Sequence, residues 1–268
     1  NWSVKNPSVI WKNNDEASGT KGIAAGQQEV DDYGRLKYKL RAALYLFELT
    51  GEREYQTFYE SNYDQLHMMQ WNYVYPFEHE EQDILLEYTK LQSGNGIVKS
   101  AILADFATGI DKDDNFGSYI NKVDPYLAHL KDYTWGSNRQ KCSQGLAFWE
   151  VDYYGVSSAN SSLAWEAAEQ YIHYMHGVNP MNLLYMTNMG DYGAENSVNQ
   201  IYHTWFHEGT DWDDTESSLY GPAPGIVPGG PNPSYKVDAC CPAGCGSTGN
   251  NAKCTAVDVS VVLNQPKQ

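Results

Sequence analysis

Apolar residues recur at helical spacing through most of the first two thirds of the chain, and strand-like alternation is scarce there. Between Ile23 and Leu49 the residues Leu40, Ala43, Leu44, Leu46 and Phe47 form a broad stripe that Thr50-Gly51 ends, which predicts a long helix with a glycine stop. A second helical segment is expected from Glu54 to Met69, making an αα-hairpin across a short turn. Further helices are expected at Glu81 to Lys90, Gly96 to Thr108, Tyr119 to Leu130, Gln144 to Tyr154 and Ser162 to His176, separated by Gly, Asp, Asn or Ser. Beyond Gly177 the pattern changes. Most of the eleven prolines lie there, with Gly/Asn stretches and little periodicity, so residues 177–268 read as a long ordered loop segment rich in Trp, Tyr, His and Asp. Helical hairpins followed by an aromatic loop point to an α/α toroid, because no repeat of fixed period marks a solenoid. About seven helices are too few to close a double ring, so neighbouring polypeptide is expected to complete it.

Composition narrows the choice of partner. The 268 residues carry 18 Lys+Arg against 34 Asp+Glu, a formal charge of −16, which repels nucleic acid and anionic membranes. No apolar run approaches the ~18–20 residues of a membrane span. The aromatic residues are dominated by 21 Tyr and 8 Trp against 7 Phe, rings with a polar handle suited to wet surfaces such as sugars. The chain opens Asn1-Trp2-Ser3 and stops in a polar stretch, which predicts a piece of something longer. Cys142 stands alone, whereas Cys240, Cys241, Cys245 and Cys254 crowd one loop at spacings that do not fit a zinc site; disulfides and export are expected, with the pairing left open. N-x-S triplets at Asn1 and Asn160 agree with a secretory route.

Several constellations have a bland explanation. Glu29, Asp31 and Asp32 read as acids at a helix start, where the macrodipole favours them. His203 and His207 are four apart, but the Glu of HExxH is missing after the first of them. There is no GxSxG, no P-loop and no GxGxxG followed by a helix and an acid. The densest cluster of rings and ligands runs from Tyr185 to Asp214, where Tyr, Trp and His faces suit a pyranose ring.

Three segments in order resemble the catalytic domain of glycoside hydrolase family 9, the endoglucanase and cellulase family. They are Tyr133-Thr-Trp135-Gly-Ser-Asn138, then Gly177-Val-Asn179-Pro180 with Tyr185-Met-Thr-Asn-Met-Gly190, then Pro224-Gly225-Ile-Val-Pro-Gly229-Gly230-Pro231-Asn232. The resemblance is strong from about 133 to 235 and loose from about 20 to 130. It implies an all-α, (α/α)6 barrel of which residues 1–268 are a partial domain, with hairpins over 1–176 and the substrate loop and Cys/Gly/Pro-rich segment over 177–268. The implied reaction is endo-type hydrolysis of β-1,4-glucosidic bonds with inversion, using an acid and a base ~6.5–9.5 Å apart. The family's Asp-Ala-Gly-Asp base segment does not occur in these residues, and no match to its helix-borne acidic Glu follows the last motif. No catalytic residue is therefore expected within the chain, which by itself is expected to be inactive. By the resemblance His203 matches the histidine ending the substrate loop, and Tyr192, Trp205 and Trp212 are candidate sugar platforms by position in that loop. No cofactor is required. Structural calcium is common in that family, and Asp211, Asp213 and Asp214 offer hard oxygen donors without EF-hand spacing. The implied partners are a β-glucan and the remainder of the catalytic domain, outside the cell. A second reading is a non-catalytic glycan-binding or structural protein on the same scaffold.

Overall fold

The computed structural model describes Lys5 and residues 30–134, 136–198 and 223–231. They fall into two units, residues 1–66 and 67–268. The described residues are predominantly helical, and none of their helices is long and apolar enough to cross a membrane.

In the first unit, helix α1 (Asp32–Thr50) starts where the Asp31 Oδ1 accepts the Gly34 amide at 2.8 Å. This cap satisfies one of the orphan first-turn donors, and Asp32 in that turn pairs with Arg35. The acids at 31 and 32 thus serve the helix start, and Glu29 lies outside the described residues. The helix stops at Gly51, whose φ of 70° is open to glycine and lets its N–H reach the Phe47 carbonyl at 2.8 Å. Helix α2 (Arg53–Glu60) returns after two residues as the other arm of a hairpin, and Leu40, Ala43, Leu44 and Phe47 of α1 are buried, as is Tyr59 of α2.

The single helix expected from Glu54 to Met69 is broken into α2, a 3₁₀ turn at Tyr63–Gln65 and α3 (His67–Trp71). Asn62 donates its side-chain amide to the Phe58 carbonyl at 2.7 Å, a local bond that competes with helix continuation.

The second unit continues with α4 (His79–Lys90), α5 (Gly96–Ile110), α6 (Phe116–Ile120), α7 (Ser137–Tyr153) and α8 (Ala164–Met175). Helix α5 begins as its apolar pattern predicts, with Asn95 Oδ1 accepting the Ile97 amide at 2.9 Å. The helix expected from Tyr119 to Leu130 shrinks to α6. Lys122 and Leu127 sit at φ 50° and 54°, and Asp124 turns the chain by accepting the Tyr126 amide. Conversely, α7 starts seven residues before the expected Gln144. Its first half is buried through polar side chains, Ser137, Asn138, Gln140, Lys141, Ser143 and Gln144, which leave no apolar period to read.

Two contacts fix the packing. Fully buried Asn115 donates to the carbonyls of Val74 (3.0 Å) and Gly109 (2.9 Å) and accepts from Gln144 Nε2 (3.0 Å), tying three segments together. Helices α7 and α8 approach so closely that a Cβ on Gly145 would lie 2.8 Å from that of Tyr171. Phe148 packs between Phe116 (4.7 Å) and Tyr171 (5.8 Å) with the rings tilted, and burying such a ring contributes roughly 1.5–3 kcal/mol.

Residues after Gly177 are not uniformly loop. Strands β1 (Leu184–Thr187) and β2 (Ser197–Val198) form a short parallel pair. The Asn160 side-chain amide donates to Asp111 Oδ1 at 2.8 Å, tying this N-x-S triplet to the end of α5.

Candidate functional site

The N-terminus of α7 is the keystone of the site. Gly136 precedes it at φ 82°, and Ser137 and Asn138 occupy its first turn fully buried, so these residues begin a helix rather than form a free turn. First-turn amides have no intrahelical acceptor. The Asn138 amide donates to the Gly229 carbonyl at 3.1 Å, Asn138 Nδ2 to the Pro228 carbonyl at 3.1 Å, and Ser137 Oγ to the Pro231 carbonyl at 2.7 Å. Gly230, at φ 90°, lies against the same two side chains. Motif segments some ninety residues apart are thereby locked together. Trp135 lies outside the described residues.

The middle motif segment, residues 177–190, joins the same loop. Asn179 folds its own loop, donating to the Tyr174 and Leu183 carbonyls (2.7 and 2.8 Å) while its Oδ1 accepts from Met181 and Leu183. That turn delivers β1, and buried Thr187 at its end grips residues 223–226. Its amide donates to the Ile226 carbonyl (3.0 Å), its carbonyl accepts from Gly225 (2.8 Å), and its hydroxyl bonds the Ala223 carbonyl and accepts from Ile226 N. Asn188, next in the chain, donates to the Val198 carbonyl at 2.8 Å. Consecutive residues thus hold Val198 and Ala223.

Of the predicted sugar platforms, Tyr192 stands at the end of a 3₁₀ turn (Gly190–Tyr192), 71% exposed. His203, Trp205 and Trp212 lie outside the described residues, as do His207, the three aspartates suggested for calcium and the four clustered cysteines. Cys142 is exposed on α7.

Beneath the α7 terminus is a charged group the sequence did not reveal. Lys141 is buried, with Nζ 3.6 Å from Asp124 Oδ2, bonded to the Ala128 carbonyl and 4.1 Å over the Tyr174 ring. Burial pulls its pKa down to about 8 against the opposing pull of Asp124. Tyr133 and Tyr174 share a hydroxyl contact at 3.1 Å, and burial drives both above the ordinary tyrosine range.

Two groups of metal-competent side chains occur among the described residues: His67, Glu78 and Glu81, and His79, Asp83 and Glu150. In the first, His67 Nδ1 lies 2.7 Å from Glu78 Oε1 and its ring stacks on Trp71. In the second, burial first and Asp83 next push the Glu150 carboxyl up to about 9, while burial lowers the pKa of His79. Sequence reasoning passed over this group; its one visible signal was the i,i+4 spacing of His79 and Asp83 on a helix face.

The helical hairpins and the interlocked loop segments define an α/α protein with a short parallel strand pair after its last described helix. The sequence model described as Glycosyl hydrolase family 9 matches residues 13–253, about nine tenths of the chain. The chain belongs to glycosyl hydrolase family 9, with that family's all-α, (α/α)6 architecture and glycosidic-bond hydrolysis as its chemistry. Comparisons with curated proteins and with solved structures returned no match.

Proposed function

We propose that this chain supplies the substrate-loop side of a secreted endo-β-1,4-glucanase that cleaves with inversion. The observation that carries the reading is the docking of residues 223–231 between the α7 terminus and β1. It rigidly holds both flanks of the residues that carry His203, Trp205 and Trp212, a requirement for positioning a sugar within fractions of an ångström. In this reading His203 hydrogen-bonds glucose hydroxyls along the cleft, and Tyr192, Trp205 and Trp212 stack on pyranose faces. Asp211, Asp213 and Asp214 hold a calcium ion if one is present, and no cofactor takes part in the reaction.

Inversion needs one carboxylic acid to protonate the leaving oxygen and one carboxylate to activate water on the opposite face. With no Asp-Ala-Gly-Asp among the 268 residues, both carboxylates are assigned to polypeptide outside them, and the chain alone is inactive. The test is proton NMR of early hydrolysis of cellopentaose or a soluble β-1,4-glucan by the intact protein. Initial release of α-anomeric reducing ends is expected. Initial β-anomer, or no cleavage of β-1,4-glucan while another glycan is cut, overturns the proposal.

A further inference from the structure

Two hydrogen bonds tie helix α4 to the end of α7: Tyr154 Oη donates to Glu87 Oε1 (2.6 Å) and Lys90 Nζ to the Tyr153 carbonyl (2.7 Å). Between them, His79 and Asp83 project from one face of α4, one turn apart, towards Glu150 of α7. His79 Nε2 lies 3.3 Å from Asp83 Oδ1, and one donor atom from each of the three residues falls within 4.8 Å of the others.

The carboxylate of Glu150 is the anomaly. The residue is 2% exposed, and its Oε2 has no hydrogen-bond partner among the described residues, nor has His79 Nδ1. Burial and the neighbouring Asp83 and Glu87 keep this carboxyl protonated, and its side-chain hydrogen bond with Asp83 leaves Oε2 unused. Glu87 is satisfied by Tyr154, and the nearby Arg139 reaches Glu80 instead, at 3.9 Å. The cluster thus holds a deeply buried acid, a second acid and an imidazole, and among the described residues no cation is paired with Glu150.

We propose that His79, Asp83 and Glu150 form a binding site for one zinc-like divalent cation. An imidazole with two carboxylates is a donor set that suits zinc; calcium asks for six to eight oxygens. Tetrahedral zinc with bonds of ~2.0–2.1 Å sets its ligands ~3.3–3.4 Å apart. The His79–Asp83 separation already has that value, so only the Glu150 carboxylate must close in. Two ligands at i,i+4 are the usual way a helix offers metal donors from one face. Asp83, at 41% side-chain exposure, leaves a route for the ion and room for water in the fourth position. The site lies on helices rather than in the substrate-loop frame, and the proposal is independent of the glucanase reading.

The test uses the intact protein stripped with chelator, then titrated with ZnCl2 by calorimetry and followed by melting temperature, with CaCl2 as the comparison. One equivalent of zinc is expected to bind and raise the melting temperature, with tetrahedral absorption bands when cobalt(II) replaces it. Glu150→Gln and His79→Ala are each expected to weaken zinc binding by ~100-fold or more, with His67→Ala unchanged. Glu150→Gln keeps the side-chain shape and replaces a carboxyl that is protonated without metal by a neutral amide, so its metal-free form should fold as well, checked by circular dichroism. No zinc binding by the wild type would mean that the two carboxyls share a proton, and would overturn the proposal. Undiminished binding in folded Glu150→Gln and His79→Ala places the ion elsewhere, for instance on the cysteines at 240–254, and overturns it equally.

Discussion

A Cβ built on Gly230 would stand 2.5 Å from Cγ of Asn138, closer than side chains tolerate. The glycine and the asparagine are mutually required: one gives up its side chain so that the other can reach the Pro228 carbonyl.

Gly230→Ala is therefore expected to destabilise the protein by about 2–4 kcal/mol, combining the positive φ with overpacking. Asn138→Ala should cost about 1–3 kcal/mol by stranding buried groups. In the double variant the clash with Asn138 disappears while that with Ser137 Oγ, at 2.6 Å, stays. Urea denaturation of the four proteins should show a combined loss smaller than the sum; strict additivity would mean that the loop does not sit on α7 as described.

Asn115→Ala removes the amide that holds Val74 and Gly109 and the acceptor used by Gln144. A loss of about 3 kcal/mol is expected, since three buried groups lose partners at once. A change under about 0.5 kcal/mol, the level of ordinary surface substitutions, would remove Asn115 from the role of hub.

Lys141 gives a pH-dependent signature. Its folded pKa of about 8 lies below the ordinary 10.5, so the folded protein releases this proton first. Below pH 8 both states are protonated and the burial penalty is felt in full. Between pH 8 and 10.5 the unfolded chain binds more protons, and stability rises with pH. Wild type should therefore gain about 2 kcal/mol on Lys141→Met between pH 8 and 10, measured by denaturant titration. A constant difference across that range would show that Lys141 titrates normally.

Tyr192→Ala in the intact enzyme should leave the melting temperature unchanged, because the ring is exposed. Losing a stacking platform of ~1–2 kcal/mol lowers kcat/KM on soluble β-glucan by ~5–30-fold, through KM. On the proposed role of His203 in the cleft, His203→Ala should also reduce turnover. Wild-type kinetics for either variant would take that residue out of the cleft.

Legibility followed the physical origin of each element. The stripe of Leu40, Ala43, Leu44 and Phe47 and the Gly51 stop announced α1 because its burial is apolar and its termination local. The first half of α7 stayed hidden because it is buried through Ser137, Asn138 and Lys141, whose partners lie far off in sequence. The three motif segments were readable as pieces, but their interlocking depends on Thr187 and Gly230 meeting residues 36 to 93 positions away. The His79, Asp83 and Glu150 group was invisible for the same reason: helix pairing, not spacing, brings Glu150 to the other two.

The adjacent clasps at Thr187 and Asn188 bear on how such a protein diversifies. One two-residue step of the chain thereby anchors two separate stretches, β2 through the Val198 carbonyl and the motif loop through Ala223, so a single backbone shift at 187–188 would move both together. That shared hinge makes the junction of β1 with the motif loop a place where sequence change is punished twice.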